Sequence, residues 1–272
     1  MTQMTKNQKI LGTIAGLIII IALAAAYFRG DFGLRSKSGE QTASSTINIG
    51  NLNLDSSGEA GQDGVTVKIE SIGNFPPAPK FPRKINYPES YSAEARNIMD
   101  KKVADLVSLL NKNSRNIEAW LDIGIVYKQV GDYSGAREAW EYVGLLSPKG
   151  IVSFNNLGDL YHYYLKDYPK SEKSFLQAIK NDSKYIISYI NLHELYKFSY
   201  QTDTSKAVDV LKQGISANPG NIDLLITLAS YYRDKGDSKN ARIYYEESLQ
   251  KAKDAGNQAL VDAINAEIKT LK

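Results

Sequence analysis

From residue 90 onward, apolar side chains recur with the period of an α-helix. Ala95, Ile98, Met99, Val103, Leu106, Val107 and Leu110 fall at i, i+3, i+4 spacing and predict one helix over 90–112. The periodicity then returns in paired blocks. A set reading Trp120, Ile123, Gly124, Tyr127 recurs as Phe154, Leu157, Gly158, Tyr161, then as Tyr189, Leu192, His193, Tyr196, and again as Leu225, Leu228, Ala229, Tyr232. Spacing inside each set is invariant. Each set is followed by a small residue and, four positions later, a bulky apolar one: Ala136/Trp140, Ser171/Phe175, Ala207/Leu211 and Ala241/Tyr245. Eight residues on stand Pro148, Ser183, Pro219 and Lys253, and the next set begins six later. The pattern predicts pairs of helices. Gly, Ala or Ser lets the two helices approach, and the aromatics fill the space around the contact. Gly131 and Gly236 are placed to end first helices in a left-handed conformation, and Pro148 and Pro219 to end second helices. No such pair buries its apolar face alone, so the pairs must stack. In the tail AGNQALVDAINAEIKTLK, the stripe Leu260, Ile264, Ile268 and Leu271 on a polar back predicts a capping helix over 257–271.

These positions resemble the tetratricopeptide repeat (TPR), a helix–turn–helix unit of 34 residues with a W-x2-L-G-x2-Y, A-x3-F, P pattern. The resemblance covers residues 117 to about 253, as repeats at about 117–150, 151–185, 186–221 and 222–253. It implies an all-α solenoid of helical hairpins, about four repeats plus capping helices, in a domain spanning 89–272. The helix over 90–112 is a half-repeat or N-terminal cap, because Leu106 and Ser114 fit the register and Lys102 does not. The copies also depart from the pattern. From the set's tyrosine to the small residue the distance is nine in the first and fourth copies, ten in the second and eleven in the third. Those insertions are expected in the turn between paired helices. His193 replaces the small residue, which is expected to loosen or tilt the third pair.

The resemblance implies binding of a peptide or protein partner on the inner face of the first helices. The matching positions are Asp122, Ile125, Lys128 and Gln129 in the first copy, and Asn155, Asn156, Asp159, His162 and Tyr163 in the second. The third gives Asn191, Glu194, Lys197 and Phe198, and the fourth Ser230 and Arg233. Asn156 and Asn191 carry the donor and acceptor that a peptide backbone needs. Leu121 and Ile190 stand where a chaperone-type carboxylate clamp would need cations, so that clamp is not supported.

The N-terminal part is different. After a basic tail of residues 1–9, Ile10 to Phe28 runs 19 residues without a charge, about the length that crosses a bilayer core. Lys6 and Lys9 precede it, Arg29, Arg35 and Lys37 follow, and Tyr27 and Phe28 sit at an interfacial position. Ala24-Ala25-Ala26 also offers a signal-peptidase site, but the run exceeds the usual signal core of about 7–15 residues. An uncleaved single-pass anchor is therefore preferred, with the C-terminal domain extracytoplasmic. Residues 29–88 are rich in Gly, Ser, Asn, Asp and Pro, and read as a flexible linker. Within it Ile47, Ile49, Leu52 and Leu54, and later Val65, Val67 and Ile69, alternate as short strands that could pair across the Gly-rich gap. The stretch PPAPKFPRKINYP reads as extended, stiff chain, or, through its PxxP spacings, as a docking sequence.

Charge and chemistry narrow the function. The formal net charge of +3 argues against neutralising many phosphates, so no nucleic-acid partner is expected. With no cysteine there is no disulfide, thiolate nucleophile or Cys-ligated metal. Two histidines without HExxH spacing make a metal site unexpected. His193 is expected in a helix–helix contact, and His162 on the concave side near Asp159, solvated or touching a ligand. Glu138/Glu141 and Glu246/Glu247 are expected on solvated faces. No catalytic constellation, phosphate loop or dinucleotide fingerprint appears, so neither catalysis nor a cofactor is expected. The sequence reads as a membrane-tethered protein-interaction scaffold. The alternative is an accessory or regulatory subunit of an envelope enzyme or of a secretion or assembly complex, with chemistry on the partner.

Overall fold

A computed structural model describes residues 47–49, 52–54 and 77–271. The expected anchor over 10–28 and most of the expected linker lie outside the described residues. The chain divides into two units, with the ribbon in one and the helices in the other. In the first unit, β1 (Ile47–Ile49) pairs antiparallel with β2 (Leu52–Leu54), Ile47 opposite Leu54. The pairing is thus between immediate neighbours two residues apart, the separation that tight hairpins favour.

The second unit is helical. It contains α1 (Ala93–Lys112), α2 (Ile117–Gln129), α3 (Tyr133–Leu146), α4 (Val152–Leu160), α5 (Tyr168–Asn181), α6 (Ile186–Phe198), α7 (Lys206–Ala217), α8 (Ile222–Asp234), α9 (Ser238–Asp254) and α10 (Gln258–Thr270). The pairs α2/α3, α4/α5, α6/α7 and α8/α9 are the four expected repeats, and α10 packs against α9. Short polar residues start most helices. Asn116 and Asn221 cap α2 and α8, and Asp132, Asp167 and Asp237 cap α3, α5 and α9, each accepting a bond from the backbone N–H three residues on. In α1 only the last three turns bury apolar side chains, Val103, Leu106 and Leu110, while Ile98 from the expected stripe is 60% exposed.

Most of the repeat positions form the core, with Phe154 and Tyr232 half-buried and Pro148 and Pro219 exposed. Trp120, Tyr127, Trp140, Phe175, Tyr189, Leu211, Ala229 and Tyr245 are all buried. Trp120 Nε1 donates to the Ser114 carbonyl at 2.9 Å and Trp140 Nε1 to the Leu121 carbonyl at 3.1 Å, so neither indole leaves its donor unpaired. Glycine is required where it stands: a Cβ on Gly124 would lie 2.3 Å from Trp140 Nε1, and one on Gly158 2.4 Å from the Phe175 ring.

The two insertions are absorbed differently. In the first and fourth repeats, Gly131 (φ 84°) and Gly236 (φ 78°) close the turn, and the N–H of Asp132 or Asp237 donates to the carbonyl of Tyr127 or Tyr232. The second repeat keeps that bond, from Asp167 to Tyr161, across one more residue. It does so by widening the end of α4 into a π-helical turn, Tyr161–Leu165, with Lys166 left-handed at φ 56°. That insertion therefore sits in the helix end rather than in the loop. The third repeat loops out over 199–205, as expected.

Residues 77–91 differ from the linker expectation. Ala78, Phe81 and Ile85 pack on the core of the first repeat, with the Phe81 ring edge-on to Trp120 at 5.2 Å. The Arg83 backbone N–H donates to Tyr127 Oη, and its guanidinium reaches Asp132 and Glu138, each at 2.7 Å, and Ser134 at 2.8 Å. Tyr91 Oη donates to the Gln129 carbonyl. This stretch is a strap across the outer end of the array.

Candidate interaction face

The first helices of successive repeats pack on one another, α2 on α4, α4 on α6 and α6 on α8, and so form one continuous inner surface. At i, i+4, i+7, i+11 spacing each helix presents one row. The rows are Glu118, Asp122, Ile125, Gln129, then Val152, Asn156, Asp159, Tyr163, then Ile187, Asn191, Glu194, Phe198, and finally Asp223, Thr227, Ser230, Asp234. Every one of these side chains is exposed or half-buried. Ten of the expected inner-face residues lie in these rows. The opening position of each row, Glu118, Val152, Ile187 and Asp223, was not among the expected residues. It is legible, because each sits four residues before an expected one on the same helix face.

The remaining five expected residues turn away from the open face, toward the following repeat. Lys128 pairs with Asp159, Lys197 with Asp234 at 2.8 Å, and Arg233 with Glu267 of α10. His162, expected on the solvated concave side, is buried at 2% exposure. Its Nε2 meets Ser199 Oγ at 2.9 Å, and its ring lies over Tyr163 at 3.9 Å. It follows the set's tyrosine, as Lys128, Lys197 and Arg233 do, and burial lowers its pKa, with Lys166 adding to the effect. Asn155 is likewise buried, its Oδ1 accepting from Ser188 Oγ at 3.0 Å and from Asn191 Nδ2 at 3.3 Å. These residues tie one repeat to the next and are not free for a ligand.

Charge on the face is shaped by the same ties. Tyr163 Oη donates to Glu194 at 2.5 Å, and burial followed by that carboxylate pushes the phenol pKa up. Burial opposes ionisation of Asp234, but hydrogen bonds from Lys197 and Arg233 hold its carboxyl below the usual range. Asn156 keeps its amide free of hydrogen bonds to the described residues. His193 lies in a helix–helix contact as expected: it is 2% exposed, and Nδ1 donates to the Ala207 carbonyl at 2.7 Å. Burial pushes its pKa down to about 4, against the pull of that bond. Glu138 and Glu141, expected merely solvated, hold Arg83 and the Tyr161 hydroxyl. No group of three or more His, Asp or Glu is placed to hold a metal among the described residues.

The family profile "Tetratricopeptide repeat" matches residues 222–252, the α8/α9 pair. The other three pairs repeat its register in helices of the same order. The chain is a tetratricopeptide-repeat protein. Among curated proteins, this TPR chain is 32% identical over 89 residues to mouse (Mus musculus) tetratricopeptide repeat protein 8, a stretch covering 33% of this chain and 17% of that one. It is 29% identical over 103 residues to the mouse BBSome complex member BBS4, covering 38% and 19% respectively. The chain thus spans less than a fifth of these relatives. Among solved structures, that of MamA is 21% identical with a TM-score of 0.48, covering 60% of this chain and 94% of MamA. The structure of PilW, a type IV pilus biogenesis factor, is 19% identical with a TM-score of 0.45, covering 65% and 87%. The repeat fold is that of a protein–protein interaction scaffold. Among the described residues no helix is long and apolar enough to cross a membrane.

Proposed function

We propose that this TPR protein is a membrane-tethered scaffold that captures a peptide or protein segment on the inner face of α2, α4, α6 and α8. One observation carries the reading. Val152, Tyr163, Ile187 and Phe198 stand 45%, 42%, 37% and 66% exposed on adjacent helices of that face, although each repeat has a core in which to bury apolar groups. Exposed apolar side chains gathered on one face, paired across adjacent helices at each end of their rows with polar ones between, are characteristic of interaction sites. The tether rests on the uncharged run from Ile10 to Phe28 and its flanking cations. An extracytoplasmic domain follows from the short basic tail staying in the cytosol.

The binding reading is tested by crosslinking capture from membranes, comparing the parent with a variant carrying Phe198→Asp and Ile187→Asp. Loss of specific partners at an unchanged melting temperature supports the groove; unchanged capture removes it. Recovery of an enzyme as the dominant partner would favour the accessory-subunit alternative over a structural assembly. Deleting 10–28 should move the protein from the membrane to the soluble fraction, and protease added to intact cells or spheroplasts should reach the TPR domain. Full protection would overturn the extracytoplasmic placement.

A further inference from the structure

We propose that the inner face selects an extended segment with a bulky apolar centre and lysine or arginine at both ends. This rests on the reading of the face as a groove. The sixteen face positions contain six acids, Glu118, Asp122, Asp159, Glu194, Asp223 and Asp234, and no base. The cations nearest the face, Lys128, Lys197 and Arg233, are drawn sideways between repeats and held there by Asp159, Asp234 and Glu267. The imbalance is local, since the chain as a whole carries a formal +3.

The acids are not spread evenly. Those balanced by a neighbour lie toward the middle and one edge. Glu194 on α6 has no cationic partner either and only accepts from the neutral Tyr163 hydroxyl, whereas the side chains of Glu118 and Asp122 on α2, and Asp223 on α8, have no partner of either kind among the described residues. They mark the two ends of the face. Between them lie the exposed apolar side chains of α4 and α6. A partner that buried its own charge against the apolar middle would lose hydration without compensation. One that placed cations at the ends and apolar groups between them would meet both zones. The length follows from the fold. Neighbouring helices pack about 8–10 Å apart, so α2 to α8 spans about 24–30 Å, which an extended chain of about nine residues covers.

The test uses the full chain in neutral detergent and fluorescent nonapeptides read by anisotropy. One probe has two lysines at each end of a Leu-Phe-Leu-Phe-Leu centre; a second has glutamates in place of the lysines. The lysine-ended probe is expected to bind at least about tenfold tighter at low salt, and the gap should narrow severalfold in ~0.5 M salt, where screening lengths fall to a few ångströms. Glu118→Lys, Asp122→Lys and Asp223→Lys together should invert the preference. Equal or tighter binding of the glutamate-ended probe, or a preference unchanged in that triple variant, overturns the proposal, as does failure of both probes to bind. Phe198→Asp separates this from the broader reading: it should weaken both probes about tenfold or more, and Ile187→Asp serves if that variant melts early. If Phe198→Asp abolishes binding while the probes do not differ, the groove stands and the charge selection falls. If the probes bind regardless of Phe198 and Ile187, the groove itself falls. Sedimentation of the parent is expected to show a monomer, and a dimer lost in Phe198→Asp would assign the face to a second copy instead.

Discussion

The first and third repeats share one register and hold it by different means. In the first, Gly124 brings α2 so close to α3 that Trp140 lies against bare backbone. The turn is short, with Gly131 left-handed and Asp132 both capping α3 and holding Arg83 of the strap. In the third, His193 occupies the glycine position, and the facing residue is Leu211 in place of an aromatic. The turn is a long loop with Gln201 left-handed, and Ser205 makes no side-chain cap bond to α7. The first pair is held by close packing and by charged bonds to the strap. The third is held by the apolar packing of Leu192, Leu195, Val210 and Leu211 around a buried ring bonded to a single carbonyl. The repeat pattern therefore specifies where helices meet, but not what kind of force closes each contact.

The largest expected effect breaks the first pair. Trp140→Ala removes a fully buried ring from above Gly124 and the bond its indole N–H makes to the Leu121 carbonyl. It should cost about 3–5 kcal/mol in chemical denaturation, with hydrogen exchange lost first at α2 and α3. Leu211→Ala, at the matching place in the third pair, should cost less, about 2–4 kcal/mol, because fewer atoms leave.

The third pair should instead be broken by acid. The folded pKa of His193 is about 4 against an ordinary 6.5, so between those values the unfolded chain binds the extra proton. Stability is thus unaffected above pH 6.5 and falls as pH drops from 6.5 toward 4, by about 3 kcal/mol for a shift of that size. His162 shifts in the same direction and adds to the slope. Denaturant midpoints across that range should show the loss, and His193→Gln should flatten most of the slope while leaving the smaller part due to His162. An unchanged slope would mean that the ring does not stay neutral in the folded state.

A smaller effect concerns the strap. Arg83→Met keeps the stem that packs near Gly135 and removes the bonds to Asp132, Glu138 and Ser134. Arg83, Asp132 and Glu138 are about a third exposed or less and Ser134 is exposed, so the loss should be modest, about 1–2 kcal/mol. Exchange protection should fall across 77–91 and the α2–α3 turn and stay unchanged in α6 and α7, since distant repeats couple only through their neighbours.

How far the sequence could be read depends on the same distinction. Helix pairing was legible, because the spacing from Trp120 to Tyr127 and from Ala136 to Trp140 recurs four times and periodicity reports burial directly. The left-handed ends at Gly131 and Gly236 followed from glycine's lack of a Cβ. The strap was not read, because its prolines and lysines resemble linker. Its signal was the apolar pair Phe81 and Ile85 flanking Arg83, which acquires meaning only once Trp120 and Asp132 are placed beside it. The inner face was half legible. Helical spacing put Asp122, Asn156 and Phe198 on it correctly. It could not show that Lys128, Lys197 and Arg233 would lean across to the next repeat, since that depends on the separation of neighbouring helices. His162 was misplaced for the same reason: it follows the set's tyrosine as Lys128, Lys197 and Arg233 do, and its ring leans toward the next repeat to meet Ser199.

The smallest expected effect tests whether the loop of the third repeat carries a cost that the first avoids. Gln201 holds φ 56° in a loop where the first repeat uses Gly131 at φ 84°. A side chain in that region costs about 1–2 kcal/mol through contact of Cβ with the backbone. Gln201→Gly removes that contact but frees the unfolded chain, which takes back about 0.4–1 kcal/mol. The balance should be a gain of about 0.5 kcal/mol, read as a rise in the denaturant midpoint at unchanged slope. The reverse exchange, Gly131→Gln, should lose more than Gln201→Gly gains. The Gly131 turn is short and fixed at both sides, by the Asp132 cap and by the bond from the Asp132 N–H to the Tyr127 carbonyl. The 199–205 loop can shift to relieve strain. Equal and opposite effects would mean that the two turns are equally rigid, and that the difference between the repeats lies only in their cores.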